Sequence, residues 1–263
     1  MIRLVAIDVD DTLITDELTI PQATSETIAK AMAKGVEVTL ATGRMYRSVL
    51  PYAKELNLTG PLIAYNGAMI KTVAGEELYH CPIPAEIVRD LASFCQDHRL
   101  TLQVYVDDVL YVEEINDDVD YYLSIASVPA VPVGPLQSFI AKGSTKALIV
   151  GQPSLLDRVQ PQLAEAFGGL IEVVRSKPAY IEMTRRGISK AHALEQLAQR
   201  YGLSRDQIMA IGDSFNDLEM IRYAGIGVAV ANAPPQVQEA ADYVTLSNEE
   251  AGVAEALTRF LGL

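Results

Sequence analysis

"LVAIDVDDTL", residues 4–13, sets an apolar run directly against three aspartates in four positions, Asp8, Asp10 and Asp11. Leu4 to Ile7 have the continuous apolar character of a parallel strand buried on both faces. Carboxylates placed at once after such a strand repel one another and resist burial, so a structural role alone explains them poorly. In open parallel α/β sheets, ligands sit beyond the carboxyl ends of the strands, where polar residues after an apolar run meet them.

Two further runs end in the same way. "VTLA" leads into Thr42, Gly43 and Arg44, and "IMAI" leads into Gly212, Asp213, Asn216 and Asp217. If these strands are neighbours, Asp8, Asp10 and Asp213 converge, and such a cluster needs a cation to be tolerated. Oxygen-only donors with no nearby His or Cys point to Mg²⁺. An EF-hand reading fails, because counting from Asp8 puts Leu13 and Thr19 where a calcium loop requires Gly and Glu. The exit at Thr42 adds a hydroxyl and backbone N–H groups at a helix start, which suit phosphate. In "GISKAHAL", residues 187–194, Ser189 reads as an N-cap and Lys190 falls in the first turn. The macrodipole disfavours a cation there, so Lys190 signals an anion nearby.

The rhythm of the chain fits an α/β fold. "SETIAKAMAKG" and "SKAHALEQLAQRYGL" have helical spacing, and each precedes an apolar strand-like run. Between the two ends the texture changes. "TLQVYVDDVLYVEE" alternates with period two around Asp107-Asp108, which predicts an antiparallel hairpin with one solvated face. Strands are also expected at "KALIVG", "LIEVVRS" and "AYIEMT", with helices at "AEIVRDLASFCQDH", "DVDYYLSIA" and "SLLDRVQPQLAEAF". This segment reads as an α+β insert, residues 83–187, in a parallel-sheet core of residues 1–82 and 188–263. Pro82, Pro84 and Gly187 mark its boundaries. Val104, Val106, Leu110 and Val112 are expected to pack against the insert's own helices rather than at a dimer contact.

Composition narrows the function classes. A net charge of −13 with no Lys/Arg cluster disfavours nucleic acid and anionic membrane as partners. Every apolar run is too short for a membrane helix. Cys81 and Cys95 lack CxxC spacing, and "MIRLVAIDVD" has neither a long apolar segment nor a small-residue cleavage site. These features set the expectation of a reduced, cytoplasmic protein, monomeric or homodimeric. His80, His98 and His192 are dispersed and read as structural.

The ordered set "DVDDT", "TGR", "SK" and "GDSFND" resembles the haloacid dehalogenase superfamily of phosphatases, and within it the Cof-type hydrolases. "AYNGAMI", residues 64–70, is also similar to a stretch common in that subgroup. The resemblance spans nearly the whole chain and implies a Rossmann-like parallel-sheet core with an inserted α+β cap that sets substrate selectivity. It implies a Mg²⁺-dependent phosphatase for small phosphorylated metabolites, sugar phosphates above all, with Asp8 as nucleophile and Asp10 as acid and base. Thr42, Gly43, Arg44, Lys190 and Asn216 would serve the phosphate or substrate. Asp8, Asp213 and Asp217, with Asp10 through its main-chain carbonyl, would serve the metal. Asn216 and Asp217 would also orient Lys190. A phosphomutase or phosphotransferase would share the aspartyl-phosphate, and a metabolite-binding module without catalysis is a further alternative on the same scaffold.

Overall fold

The computed structural model describes residues 1–126 and 128–263. The chain opens with β1 (Leu4–Ile7), α1 (Gln22–Ala33), β2 (Glu37–Leu40) and α2 (Tyr46–Glu55). Three strands follow, β3 (Pro61–Ala64), β4 (Met69–Thr72) and β5 (Glu77–His80). The middle of the chain forms α3 (Ala85–Asp97), β6 (Thr101–Val106), β7 (Val109–Val112), α4 (Asp117–Ala126), β8 (Ala130–Pro132) and α5 (Leu136–Phe139). It continues through β9 (Ala147–Val150), α6 (Pro153–Phe167), β10 (Ile171–Lys177) and β11 (Tyr180–Arg185). The last third is α7 (Lys190–Tyr201), β12 (Ile208–Gly212), α8 (Leu218–Tyr223), β13 (Ile226–Ala229), α9 (Pro235–Gln238), β14 (Tyr243–Val244) and α10 (Gly252–Leu261).

One sheet has the order β14-β13-β12-β1-β2, with every pairing parallel. β1 lies between β12 and β2, so the three strands whose exits carry the polar motifs are immediate neighbours. Leu4 and Ala6 face α7 with Ala193, Leu194 and Leu197. Val5 and Ile7 face the opposite layer, where Ile28, Val49 and Leu257 pack. Burial on both faces is what the unbroken apolar run of β1 encodes, and each large aliphatic side chain removed from water contributes roughly 1.5–3 kcal/mol. A parallel bridge from Ala41 to Ile63 joins this sheet edge to the antiparallel strands β3, β4 and β5.

The second sheet, β10-β11-β9-β6-β7-β8, is antiparallel except for the β7–β8 pair. Its turn at Asp107-Asp108 holds both residues at positive φ, 51° and 59°, the conformation a two-residue hairpin turn requires. The expected solvated face of this hairpin is absent. Leu102 and Val104 pack with Val88 and Leu91 of α3. On the other side Tyr105, Leu110 and Val112 join the large cluster that includes Val119 of α4 and Tyr65, from the loop after β3. Tyr65 and Tyr105 meet edge to face at 5.6 Å. Leu110 and Val112 are therefore covered from within the chain, by the insert's own α4 as expected and also by Tyr65 of the loop after β3. Among the described residues no helix is long and apolar enough to cross a membrane.

Gly67 fixes how the loop after β3 meets α7. Its φ is +94°, and a Cβ there would lie 2.1 Å from the Ser189 carbonyl oxygen. Gly67→Ala is therefore expected to lower stability by about 1–3 kcal/mol and to displace the start of α7. Urea unfolding monitored by circular dichroism checks this; an unchanged midpoint would mean that the two loops separate without strain.

Candidate active site

Because β12, β1 and β2 run parallel, their polar exits share one edge. After β1 the chain turns at once: Asp10 is extended, Asp11 is left-handed with φ 58°, and the Ile14 N–H donates to the Val9 carbonyl at 3.1 Å. Asp8, Asp213 and Asp217 are all buried, and one carboxylate oxygen from each lies within 4.8 Å of the other two. The Thr12 hydroxyl donates to Asp213 at 3.0 Å. The Lys190 ammonium donates to Asp8 Oδ1 at 2.5 Å and to Asp217 Oδ1 at 2.6 Å. The second oxygen of Asp217 accepts the main-chain N–H groups of Asp213 and Ser214 at 3.1 and 3.0 Å. That close fold is open only to glycine at position 212, where a Cβ would lie 2.6 Å from the Asp217 side chain.

Three carboxylates against one ammonium leave the cluster negative. Burial, and then the Asp217 charge, raise the Asp8 carboxyl well above the usual carboxylate range despite Lys190. Burial, Asp217 and Asp11 together push Asp213 up to about 7. Burial pulls the Lys190 ammonium down, but Asp217 and Asp8 outweigh it and hold the proton on more firmly than in an ordinary lysine. An oxygen-only, excess-negative, buried donor set is the chemistry that fits a hard divalent cation such as Mg²⁺.

Asp10 has a different partner. Arg44 donates to it through two nitrogens, Nε at 2.9 Å and Nη2 at 2.7 Å, a planar two-point clamp. Burial works to raise the Asp10 carboxyl, yet the Arg44 hydrogen bonds and charge prevail and hold it below the usual range. The Asp10 side chain is thereby turned to Arg44 and stands apart from the Asp8, Asp213 and Asp217 cluster.

The loop Thr42–Arg44 is braced from several sides. Thr42 Oγ1 accepts the Arg44 N–H at 3.0 Å. The Thr42 carbonyl accepts from the Asn66 N–H at 3.0 Å, and the Arg44 carbonyl accepts from the Tyr65 N–H at 2.9 Å. Tyr65 and Asn66 both have φ 54°, so two successive left-handed residues aim their N–H groups back at this loop. Asn216 differs from expectation: its amide donates to Asn66 Oδ1 at 3.0 Å and accepts from the Ser214 hydroxyl, while Asp217 alone of the pair contacts Lys190. Asn216 is two positions from Ser214, and the tight turn directs its side chain sideways to the neighbouring loop.

A cleft of about 100 Å³ opens above this edge, lined by Asp8, Asp10, Gly43, Arg44, Asp213 and Asn216 from the first sheet's loops. Its opposite wall comes from the second sheet and α4: Tyr122, Lys146, Ser176, Lys177, Tyr180 and Glu182. None of these six follows from the motif reading. The available signal was an ionisable residue inside an otherwise apolar strand, Lys146 ahead of "ALIV" and Glu182 in "YIEMT". His80, His98 and His192 bond to Thr145, the Phe94 carbonyl and Tyr79, away from the cleft.

Comparison with known proteins adds kinship to this geometry. A profile of the haloacid dehalogenase-like hydrolases matches residues 5–257. The chain is 31% identical over 266 residues to a 5-amino-6-(5-phospho-D-ribitylamino)uracil phosphatase of Bacillus subtilis, covering 99% of this chain and 98% of that one. A haloacid dehalogenase-like hydrolase from Bacteroides thetaiotaomicron has the same fold with a TM-score of 0.89 at 33% identity, over 98% of this chain and 99% of that chain. A subclass IIB sugar phosphatase of the same superfamily superposes with a TM-score of 0.88 at 27% identity, over 99% and 100% of the two chains. The parallel core with an inserted α+β unit that the sequence pattern implies is thus the architecture of this molecule.

The electrostatics generate a pH-dependent outcome. Without metal, the folded chain keeps the Asp213 proton up to about pH 7, whereas the unfolded chain loses it near pH 4. Between those values the native state binds the extra proton, so stability falls as pH rises through the window. Cation binding relieves that repulsion. The rise in Tm on adding MgCl₂ in place of chelator is therefore expected to be larger at about pH 7.5 than at about pH 5; scanning calorimetry showing equal rises would contradict the cluster's assignment as a cation site.

Proposed function

From the premise that this chain belongs to the haloacid dehalogenase-like hydrolases and is a phosphatase, we propose that it hydrolyses small phosphorylated sugars and sugar-derived metabolites in the cytoplasm through an aspartyl-phosphate on Asp8. The observation that carries this reading is the pairing at one strand end: buried Asp8 against the Lys190 ammonium, with Asp10 two residues on in the same cleft. Binding a metabolite would need neither a nucleophile nor a second carboxylate beside it.

In this reading the Asp8 carboxylate attacks phosphorus in line; an Asp8 O–P bond forms as the ester P–O bond breaks. Asp10 gives its proton to the departing oxygen, then takes one from the water that hydrolyses the acyl-phosphate, which frees inorganic phosphate and restores Asp8. Mg²⁺ held by Asp8, Asp213, Asp217 and the Asp10 carbonyl would supply the positive charge that lets a carboxylate approach a phosphate dianion. The Thr42 hydroxyl, the Gly43 N–H and Lys190 bind phosphoryl oxygens and stabilise the charge that develops on them. Arg44 has two tasks: its clamp keeps Asp10 ionised while the site is empty, and an arriving phosphate dianion competes for the guanidinium, which allows Asp10 to take up the proton it must donate.

Residues 83–187 act as the cap over this centre, moving about links near residues 82 and 187, where Gly187 adopts φ +76°. A sugar-like leaving group is supported by the polar wall that Tyr122, Ser176 and Lys177 present to the cleft. It is also supported by the names of two similar proteins, one a phosphatase of a phosphoribityl compound and one a sugar phosphatase.

Phosphate release from a panel of sugar and polyol phosphates is expected to require Mg²⁺ and to disappear in Asp8→Asn. Asp10→Asn is expected to slow alkyl phosphates by ~10²–10⁴-fold, and with p-nitrophenyl phosphate to accumulate phosphoenzyme visible by intact mass. Activity retained in Asp8→Asn would end the aspartyl-phosphate reading, and turnover only in the presence of a sugar acceptor would make the enzyme a phosphotransferase.

A further inference from the structure

Glu182 belongs to β11 of the second sheet, and its carboxylate joins two groups of that sheet's region to Asn66 of the loop after β3. Oε2 accepts from Asn66 Nδ2 at 2.5 Å and from Lys146 Nζ at 3.1 Å, while Oε1 accepts from the Ser176 hydroxyl at 2.8 Å. Lys146 in turn donates to the Gly43 carbonyl at 2.6 Å and lies over the Tyr105 ring at 5.2 Å. Both ionic side chains are close to fully buried, 3% exposed for Lys146 and 10% for Glu182. Burying an ion pair yields little stability over a well-packed apolar pair, so its presence at the end of β9 and within β11 calls for another explanation.

Gly43 supplies that explanation. Glycine has no preferred φ and ψ, so nothing in the residue itself aims its N–H. A trans peptide, however, points its N–H opposite to its C=O, and pinning the carbonyl fixes the amide. Here both peptides that flank Gly43 are pinned. The Thr42 carbonyl is held by the Asn66 N–H, and the Gly43 carbonyl by Lys146. The second peptide is fixed at its other end as well, because its Arg44 N–H donates to Thr42 Oγ1. Glu182 reaches both pins at once: it binds the Lys146 ammonium directly, and it holds the side-chain amide of Asn66, the residue whose main-chain N–H is the other pin. It also packs on the glycine, since a Cβ at position 43 would lie 2.9 Å from Asn66 Oδ1 and 3.1 Å from Glu182 Oε2.

We propose that Glu182 and Lys146 are positioning residues for phosphoryl transfer: Lys146 holds the Gly43–Arg44 peptide by its carbonyl, and Glu182 braces Asn66, whose N–H holds the Thr42–Gly43 peptide, so that the seated second sheet keeps the Gly43 N–H aimed at the phosphoryl group. This rests on the phosphatase reading of the site and adds a cap-borne requirement for its phosphate loop. Asn66 Oδ1 extends the same control to Asn216 on the loop after β12.

The test uses the full chain carrying Glu182→Gln together with Lys146→Met, which removes both charges at similar volume and so avoids an unpaired buried ion. Positioning predicts a ten-fold or greater fall in kcat with less than a three-fold change in KM, equal for p-nitrophenyl phosphate and glycerol phosphate because the Gly43 peptide serves the phosphoryl group that both substrates share. Hydrogen exchange in the peptide spanning residues 41–46 is expected to quicken at a temperature where the variant stays folded. A loss confined to glycerol phosphate would make the pair a leaving-group contact, and unchanged kcat or unchanged exchange would overturn the proposal. Wild type that releases no phosphate would refute the reading of the preceding subsection, and the exchange measurement would still decide this one.

Discussion

A buried ammonium between two carboxylates holds the reactive edge together. Lys190 contacts Asp8 at the end of β1 and Asp217 at the start of α8, elements that reach this point from opposite ends of the chain. Without that cation, Asp8, Asp213 and Asp217 would face one another with only the Thr12 hydroxyl and two main-chain N–H groups against the cost of burial and mutual repulsion. The position of Lys190 explains its place in the sequence: at the first residue of α7 the helix dipole opposes it, and two carboxylates in a low-dielectric setting more than offset that opposition. Ser189 caps the same helix by accepting the His192 N–H at 3.3 Å, so the turn that delivers Lys190 is fixed one residue earlier.

The rest of the edge is shaped by how closely backbones approach it. Gly212 admits the Asp217 side chain, and Gly67 admits the Ser189 carbonyl. Left-handed residues do the complementary work, with Asp11 turning the chain back after β1 and Tyr65 and Asn66 presenting N–H groups to the Thr42–Arg44 loop. Such conformations cost of order 1–3 kcal/mol for a residue with a side chain and persist where surrounding contacts determine them. Fully buried Tyr65 has those contacts: its ring against Tyr105 and its hydroxyl on Asp108 at 2.6 Å.

How far the site was legible in the sequence follows from the range of each signal. An apolar run stopped by Asp, Thr or Gly is local, so the three strand exits and the capped start at Ser189-Lys190 could be read directly, and parallel neighbours bring them to one edge. The side-chain partners could not be read. Asn216 bonding to Asn66 joins residues 150 apart, and Asn66 bonding to Glu182 joins residues 116 apart. The hairpin misled for a related reason. Its period-two alternation is real, but alternation separates two faces without saying what covers each one, and here Gln103 and Tyr105 on the presumed wet face are both fully buried.

Charge also gives the two sheets a reason to meet. The loops of the first sheet present Asp8, Asp10, Asp11 and Asp213 with Arg44, whereas the facing side contributes Lys146 and Lys177 with Glu182. These two lysines act at different depths. Lys177 pairs with Asp11 at 3.2 Å with both side chains more than two-fifths exposed, a contact that water screens and that adds little to stability. Lys146 is buried, and its ammonium is spent on a main-chain carbonyl and on Glu182, so separating the sheets would leave the Gly43 carbonyl and Asn66 amide to water. The exposed pair therefore does little to hold the two sheets together, while the buried pair fixes how the second sheet meets the Gly43 loop. A buried ion pair adds little stability over apolar packing, so specifying one arrangement of the two sheets is the role its geometry fits best.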